Sequence, residues 1–396
     1  MTTATKFAEQ GKQQLKTLKF ADAEKLFQSA LKADANSIGA RIGLARLRVL
    51  QGNRNDAEGL VNDALKLAPQ NAEALAMQGV LRMQNKIWNE AILYFEKACK
   101  ADPQLVMAYV NLARSHRKLG NLQDAEKVAQ KAIKLNPKNH RAHAELALVL
   151  IKTKKVSEGL KEMIEAIRIN PHYLQAYLAL GRIYQIAGKI DLTIALYKKG
   201  FKHNPGSIKL AEELAGVYAF KGDFLKAYKL AVLIAMKRGS YSDWDRVGNC
   251  AVAIGQFEKA EKAFKKSLEV KSENWEAHYN LAELYFSAKL HKKAKQEYVR
   301  AIELKSKSYK PFNGIGLLTL MAERNPVEAE KYFLRALELA PGRKEPLLNM
   351  AIAFADRKAY VEAEKFARAT LRVAKPGDGL HEQAQQLISQ IENVKG

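Results

Sequence analysis

Apolar residues recur along this chain with a helical period, and the pattern itself recurs. Over residues 106–139, Tyr109, Leu112 and Ala113 mark one face of a first helix, and Ala125, Ala129 and Ala132 one face of a second. Over 174–207 the arrangement returns as Tyr177, Leu180, Gly181 and Tyr184, then Tyr197 and Gly200. These spacings predict two amphipathic helices per stretch, each with a single apolar stripe. Large and very small residues alternate within the stripe. A Gly or Ala at a helix crossing lets two backbones approach, and a neighbouring Tyr, Leu or Phe fills the space beside it. Short turns, often holding a glycine (Gly52, Gly120, Gly188, Gly222, Gly255), join the two helices.

Proline sets the period. Pro69, Pro103, Pro137, Pro171 and Pro205 follow one another at 34 residues, and four further periods lead to Pro341. Proline cannot continue a helix interior, so each marks the end of a second helix. A fixed period of this length is the signature of a repeat array. Windows fall at 4–37, 38–71, 72–105, 106–139, 140–173, 174–207, 208–240, 241–274, 275–308, 309–343 and 344–377, eleven in all. The seventh is one residue short and the tenth one residue long. The junction Lys237–Asp243 lacks the proline and carries Gly and Ser, so a hinge is expected near 240; Met321–Val327, with an extra residue and Pro326, is the other irregular point. The expected organisation is therefore 4–240 for repeats one to seven, 241–377 for repeats eight to eleven, and 378–396 as a C-terminal capping helix. That last segment sets Leu380, Ala384, Leu387, Ile388 and Ile391 on one face and Gln and Glu on the other, as a terminal cap requires.

The order large-x2-Leu-Gly/Ala-x2-Tyr, then Ala, Phe/Tyr, Ala and Pro, resembles the tetratricopeptide repeat across residues 4–377; Gln10 and Thr193 depart from it. The resemblance implies an all-α fold: antiparallel helix pairs stacked into an α-solenoid with a right-handed superhelical path. It also implies a concave groove, lined mainly by first helices, that takes an extended peptide or a helix.

Composition adds a sign. Of 396 residues, 47% are hydrophobic and 27% charged, and the net charge is +23. Such an excess favours an acidic partner, nucleic acid or an anionic surface. The lysine groups Lys198–Lys199, Lys259, Lys262, Lys265–Lys266 and Lys292–Lys293–Lys295 fall mostly in second helices, where a solvated convex face is the expectation. Two cysteines, Cys99 and Cys250, lie several repeats apart and read as buried hydrophobes of a reducing compartment. Met1–Phe20 shows no apolar leader, and the longest apolar run, Leu230–Met236, is too short to span a bilayer. A cytoplasmic location is expected.

No catalytic constellation stands out, and neither enzyme activity, cofactor nor metal is expected. His140 and His143 share a helix, but a third ligand is missing nearby and His143 fills a packing slot. Gly314-Ile-Gly316 lies inside a helix with no preceding strand, outside the context a dinucleotide loop requires.

The resemblance assigns the second, fifth, sixth, ninth and twelfth places of each window to the groove. Those places hold Arg46, then Glu73, Val80 and Met83, then Met107, Val110, Asn111, Arg114 and Arg117. Arg141, Leu148 and Ile151 follow, then Leu178, Arg182 and Gln185. This wall is apolar with inserted arginines, the side chain suited to bidentate capture of carboxylates. Further on, Glu212, Glu213, Asp245, Glu276 and Glu283 stand beside Tyr279 and Phe286. Asn111, Asn280 and Asn349 share the sixth place, where relatives hold a ligand backbone. Asn249, Asn280 and Lys310 match three places of the carboxylate clamp of chaperone-binding relatives; Asp245 and Gly314 replace its Lys and Arg. The reading is a non-enzymatic adaptor or scaffold whose groove in repeats two to six binds an acidic–hydrophobic segment of a partner protein. Arg46, Arg114, Arg117, Arg141 and Arg182 supply charge, Asn111 and Asn280 backbone contacts, and Val80, Met107 and Leu148 apolar contact. The alternatives are self-assembly into a homo-oligomer and nucleic-acid binding, the latter weakened by the scarcity of aromatics in the basic half of the groove.

Overall fold

A computed structural model describes residues 1–304 and 307–395, and among these the chain is all helix, 23 helices with no strand. It divides into two compact units, Met1–Pro205 and Gly206–Gly396. The first unit holds α1 (Thr3–Lys16), α2 (Phe20–Ala33), α3 (Ile38–Leu50), α4 (Arg54–Leu67), α5 (Ala72–Gln84), α6 (Trp88–Ala101), α7 (Val106–Leu119), α8 (Leu122–Leu135), α9 (His140–Lys152), α10 (Val156–Ile169), α11 (Leu174–Ile186) and α12 (Ile190–His203). In the second are α13 (Ile208–Phe220), α14 (Phe224–Arg238), α15 (Tyr241–Ala253), α16 (Phe257–Val270), α17 (Trp275–Ser287), α18 (His291–Glu303), α19 (Tyr309–Met321), α20 (Pro326–Leu339), α21 (Lys344–Asp356), α22 (Tyr360–Val373) and α23 (Gly379–Lys395).

Each odd helix packs against the even helix after it, and odd helices also touch their odd neighbours: α1 to α3, α5, α7 and α9 in the first unit, α15 to α17, α19 and α21 in the second. First helices thus form a continuous wall from α1 to α9 in the first unit and from α15 to α21 in the second. What locks the pairs is the expected alternation of size. Phe27, Phe95, Tyr197, Phe264, Tyr298 and Phe333 on second helices are all fully buried. Each lies against a first-helix glycine: a Cβ on Gly43 would meet the Phe27 ring at 2.2 Å, one on Gly181 the Tyr197 ring at 2.1 Å, and one on Gly248 the Phe264 ring at 2.3 Å. Gly314 and Gly316 serve the same purpose for Tyr298 and Phe333, which accounts for that glycine pair without any phosphate. Burying one such ring is worth about 2 kcal/mol relative to leaving it exposed.

The punctuation follows the local chemistry. Each inter-helix glycine (Gly52, Gly120, Gly188, Gly222, Gly255) has positive φ, the conformation in which a Cβ is penalised. Six other turns place Leu18, Lys86, Lys154, Lys289, Arg324 and Lys358 in the same region. At the far end of second helices, Asp34, Asp102, Asn136 and Asn170 accept the backbone N–H two residues on, at 2.9–3.0 Å, closing an Asx turn before the next helix. Thr193 is tolerated in a fully buried slot because its hydroxyl donates to the Lys189 carbonyl one turn back, at 3.0 Å. His143 fills its slot by reaching Glu162 (2.6 Å) and the Pro137 carbonyl (2.9 Å). Cys99 and Cys250 are buried free thiols, and burial pushes Cys99 up to about 12.

At the 237–243 junction, α14 ends on Gly239 in the left-handed conformation, and α15 begins with a capping box between Ser240 and Asp243. Arg238 clasps the buried Asp243 carboxylate and reaches Glu212 at 2.8 Å. α23 lies on α21 and α22 and buries Ala384, Ile388 and Ile391, with Leu380 and Leu387 half-buried on the same face. No helix among the described residues is long and apolar enough to cross a membrane.

Candidate functional site

The wall of first helices in the first unit encloses a trough of about 530 Å³. Helical spacing aims one to three residues per helix into it: Leu15 from α1; Arg46, Val49 and Leu50 from α3; Ala76, Met77 and Val80 from α5; Met107 and Asn111 from α7; Arg141 from α9. Leu105, just before α7, completes the lining. Five of the ten residues singled out from the sequence, Arg46, Val80, Met107, Asn111 and Arg141, are brought together here. The floor is aliphatic and thioether, a surface suited to varied apolar side chains.

The two arginines stand in different company. Arg46, 42% exposed, lies 3.6 Å from Glu73, which is also 3.4 Å from the Lys12 ammonium. Lys12 in turn holds Glu9 at 2.9 Å. Arg141 is exposed and has no carboxylate within 4 Å among the described residues. Asn111 offers a half-buried amide between them.

Arg114 and Arg117 are committed elsewhere. Arg114 Nε donates to Glu145 Oε1 at 2.6 Å, and Arg117 donates to Oε2 through Nε (3.0 Å) and Nη2 (2.8 Å). Glu145 is 4% exposed and Arg117 10%. This is a buried ion cluster joining α7 to α9, rather than a pair of open cations. Sequence reasoning passed over Glu145 although it holds the sixth place of its window, the place read as Asn in three others. Leu148 is half-buried on α9 and outside the trough lining, and Arg182 is exposed on α11. Val110, expected on the groove wall, is fully buried in the core. Leu15 and Val49 were missed although both occupy the twelfth place of their windows, and so were Ala76 and Met77 at the fifth and sixth.

In the second unit the acidic places are largely satisfied internally. Glu212 receives Arg238 at 2.8 Å and Lys209 at 3.3 Å, Glu213 lies 3.5 Å from Lys209, and Asp245 accepts from Asn274 at 2.8 Å. Glu283 accepts the Tyr298 hydroxyl at 2.5 Å, and burial holds its carboxyl above the usual range. Asn280, half-buried on α17, belongs to this unit. Where the chaperone-type clamp has Arg, the ring of Tyr298 occupies the space over Gly314, so that a Cβ there would meet it at 2.4 Å. Among the described residues, no group of three His, Cys, Asp or Glu side chains is placed to hold a metal ion.

Comparison with known proteins bears on three segments. Residues 15–81 and 248–309 match models of the family described as tetratricopeptide repeat, and residues 84–166 match the model described as anaphase-promoting complex, cyclosome, subunit 3. A probable UDP-N-acetylglucosamine–peptide N-acetylglucosaminyltransferase SPINDLY of Solanum lycopersicum is 37% identical over 95 residues, 24% of this chain and 10% of that protein. The general transcriptional corepressor trfA of Dictyostelium discoideum is 29% identical over 92 residues, 22% of this chain and 6% of that protein. The matched part thus spans a tenth or less of these curated relatives. Among solved structures, yeast Tom70 aligns over 99% of this chain and 95% of its own, with 16% identity and a TM-score of 0.44. The APC/C Cut9–Hcn1 hetero-tetramer aligns over 99% and 96%, with 12% identity and a TM-score of 0.46.

Proposed function

We propose, starting from the premise that the chain is a tetratricopeptide repeat protein, that it is a cytoplasmic, non-enzymatic adaptor whose first unit captures an acidic–hydrophobic segment of a partner protein. The observation that carries the reading is the trough itself: an aliphatic floor of about 530 Å³ between Arg46 and Arg141, with Asn111 beside it. An apolar anchor on the floor supplies buried area, while a carboxylate opposite Arg141 gains a charge-assisted, bidentate partner that no internal acid already satisfies. Arg46 is partly offset by Glu73, so Arg141 carries the larger share of charge recognition. The backbone of an extended ligand fits the Asn111 amide, which can donate and accept at once.

The test is a paired affinity capture from nuclease-treated lysate, with the natural chain and Arg46→Glu/Arg141→Glu as baits, read by mass spectrometry and followed by titration of the recovered partner's acidic peptide. Retention by the natural bait and at least tenfold weaker peptide binding by the variant are expected. Equal binding by both chains removes the trough from the function, and loss of every partner on nuclease treatment points to nucleic acid.

A further inference from the structure

The second unit carries a cleft on its other helices. It lies between α14, α15 and α16, has a volume of about 240 Å³, and is lined by Tyr228 and Met236 from α14, Trp244 from α15, and Lys259, Lys262 and Lys266 from α16. That volume admits one or two apolar side chains. Met236 leaves 72% of its surface open to solvent.

The lysines are ordered about this cleft. The Lys266 ammonium stands 4.4 Å from the centre of the Trp244 ring and that of Lys259 5.9 Å from the Tyr228 ring, so both are drawn over the aromatic walls. None of the three lies within 4 Å of a carboxylate among the described residues, unlike Lys265, which pairs with Glu261 at 2.7 Å. The facing helix, α14, contains no acid; its Lys226 pairs with Asp223 and its Arg238 with Glu212 and Asp243, while Lys229 and Lys237 have no carboxylate within 4 Å among the described residues. Spacings of three and four residues set Lys259, Lys262 and Lys266 in one row about 10 Å long.

We infer that this cleft is a second docking surface, separate from the trough of the first unit, for an acidic amphipathic helix of a partner protein that seats an aromatic or aliphatic side chain against Trp244 and Met236. Charge complementarity selects that occupant. A helix with carboxylates three and four residues apart repeats the spacing of the lysine row, and its intervening apolar face meets the cleft. A basic or neutral helix would leave three desolvated ammonium groups without counter-charge.

The experiment pans phage-displayed peptides of about 16 residues on the full chain, with depletion on Lys259→Gln/Lys262→Gln/Lys266→Gln, and titrates the enriched peptides by anisotropy. Thermal unfolding confirms that each variant folds, and Met236→Asp serves as a single-residue second variant. Expected are peptides with at least two acids at helical spacing and one large apolar anchor. Their binding falls at least tenfold in both variants and is unchanged in Arg46→Glu/Arg141→Glu. The inference is overturned if no enriched peptide depends on the lysine row, or if single-stranded DNA or phosphatidylglycerol vesicles bind with that dependence and peptides do not.

Discussion

Glu145→Gln tests the ion cluster between α7 and α9. The substitution keeps size and shape and removes one charge. In the natural chain a carboxylate that is 4% exposed accepts three hydrogen bonds, at 2.6, 2.8 and 3.0 Å, from two guanidinium groups. Removing one partner of a buried pair costs about 3–5 kcal/mol, because the remaining charge stays buried without compensation. Arg114, about a third exposed, can turn to water, while Arg117 cannot; the low end, about 3 kcal/mol, is therefore expected. An array of repeats opens locally, so one global midpoint would blur the effect. Amide hydrogen exchange resolves it: about 3 kcal/mol is about a 150-fold faster exchange in α7 and α9, since each 1.4 kcal/mol is a factor of ten. Adding Arg114→Gln and Arg117→Gln should restore much of the protection, because no charge is then left unpaired. Exchange accelerated less than threefold, or spread evenly from α1 to α12, would refute the reasoning. The same logic makes Arg114→Glu or Arg117→Glu a poor probe of binding, because either places two acids in one buried site.

Three further outcomes follow from the same geometry. Gly181→Ala should cost about 1–2 kcal/mol in urea unfolding, overpacking against Tyr197 exceeding the gain in helix propensity; Gly216→Ala, with nothing within 4 Å, should stabilise by up to about 1 kcal/mol. Asp243 is held below the ordinary carboxylate range first by Arg238 and then by Ser240. Its folded value lies under its unfolded one, so its stabilisation is present above about pH 4 and lost as pH falls through the folded value. Asp243→Asn should be less stable at pH 7 and lose that part of the acid dependence in urea titrations. Glu283 behaves oppositely: burial raises its folded value, so its contribution is present at low pH and lost as pH rises. Glu283→Gln should protect α17 and α18 amides better than the natural residue at pH 7, with the difference shrinking toward pH 4; a less protected variant at pH 7 would refute this.

The fold was legible because its determinants are local and repeated. The proline period, the small-large alternation and the turn glycines each act within one window; the helix-pair pattern recurs in eleven windows, with the clocked proline in six and the turn glycine in five. Even the exceptions have local reasons, as Thr193 shows by donating to Lys189. The groove was half legible for a related reason. Which residues face the trough depends on helical phase alone: the second and ninth places yielded Met107 and Val80, and the twelfth, one of the same five places, holds Leu15 and Val49. What phase cannot say is which charged residue is already spent. That depends on the next window, and Arg117 meets Glu145 across 28 residues of sequence.

Commitment follows from which acids the adjacent first helix can offer. Glu145 is the single carboxylate of α9, and it sits one turn after the start of that helix, where both α7 arginines reach it. The first helix of the window after Arg141, α11, reads LQAYLALGRIYQI and holds no acid. Arg141 therefore has nothing to pair with across that boundary and stays open, while Arg114 and Arg117 do not. Arg46 is intermediate: α5 offers Glu73, but Lys12 competes for it. The positive character of the trough is thus set less by how many arginines line it than by where carboxylates are missing from the neighbouring first helix. Removing one should open the site further: Glu73→Gln, which frees Arg46 and Lys12, should tighten binding of the captured acidic peptide, and unchanged or weaker binding would refute the reasoning.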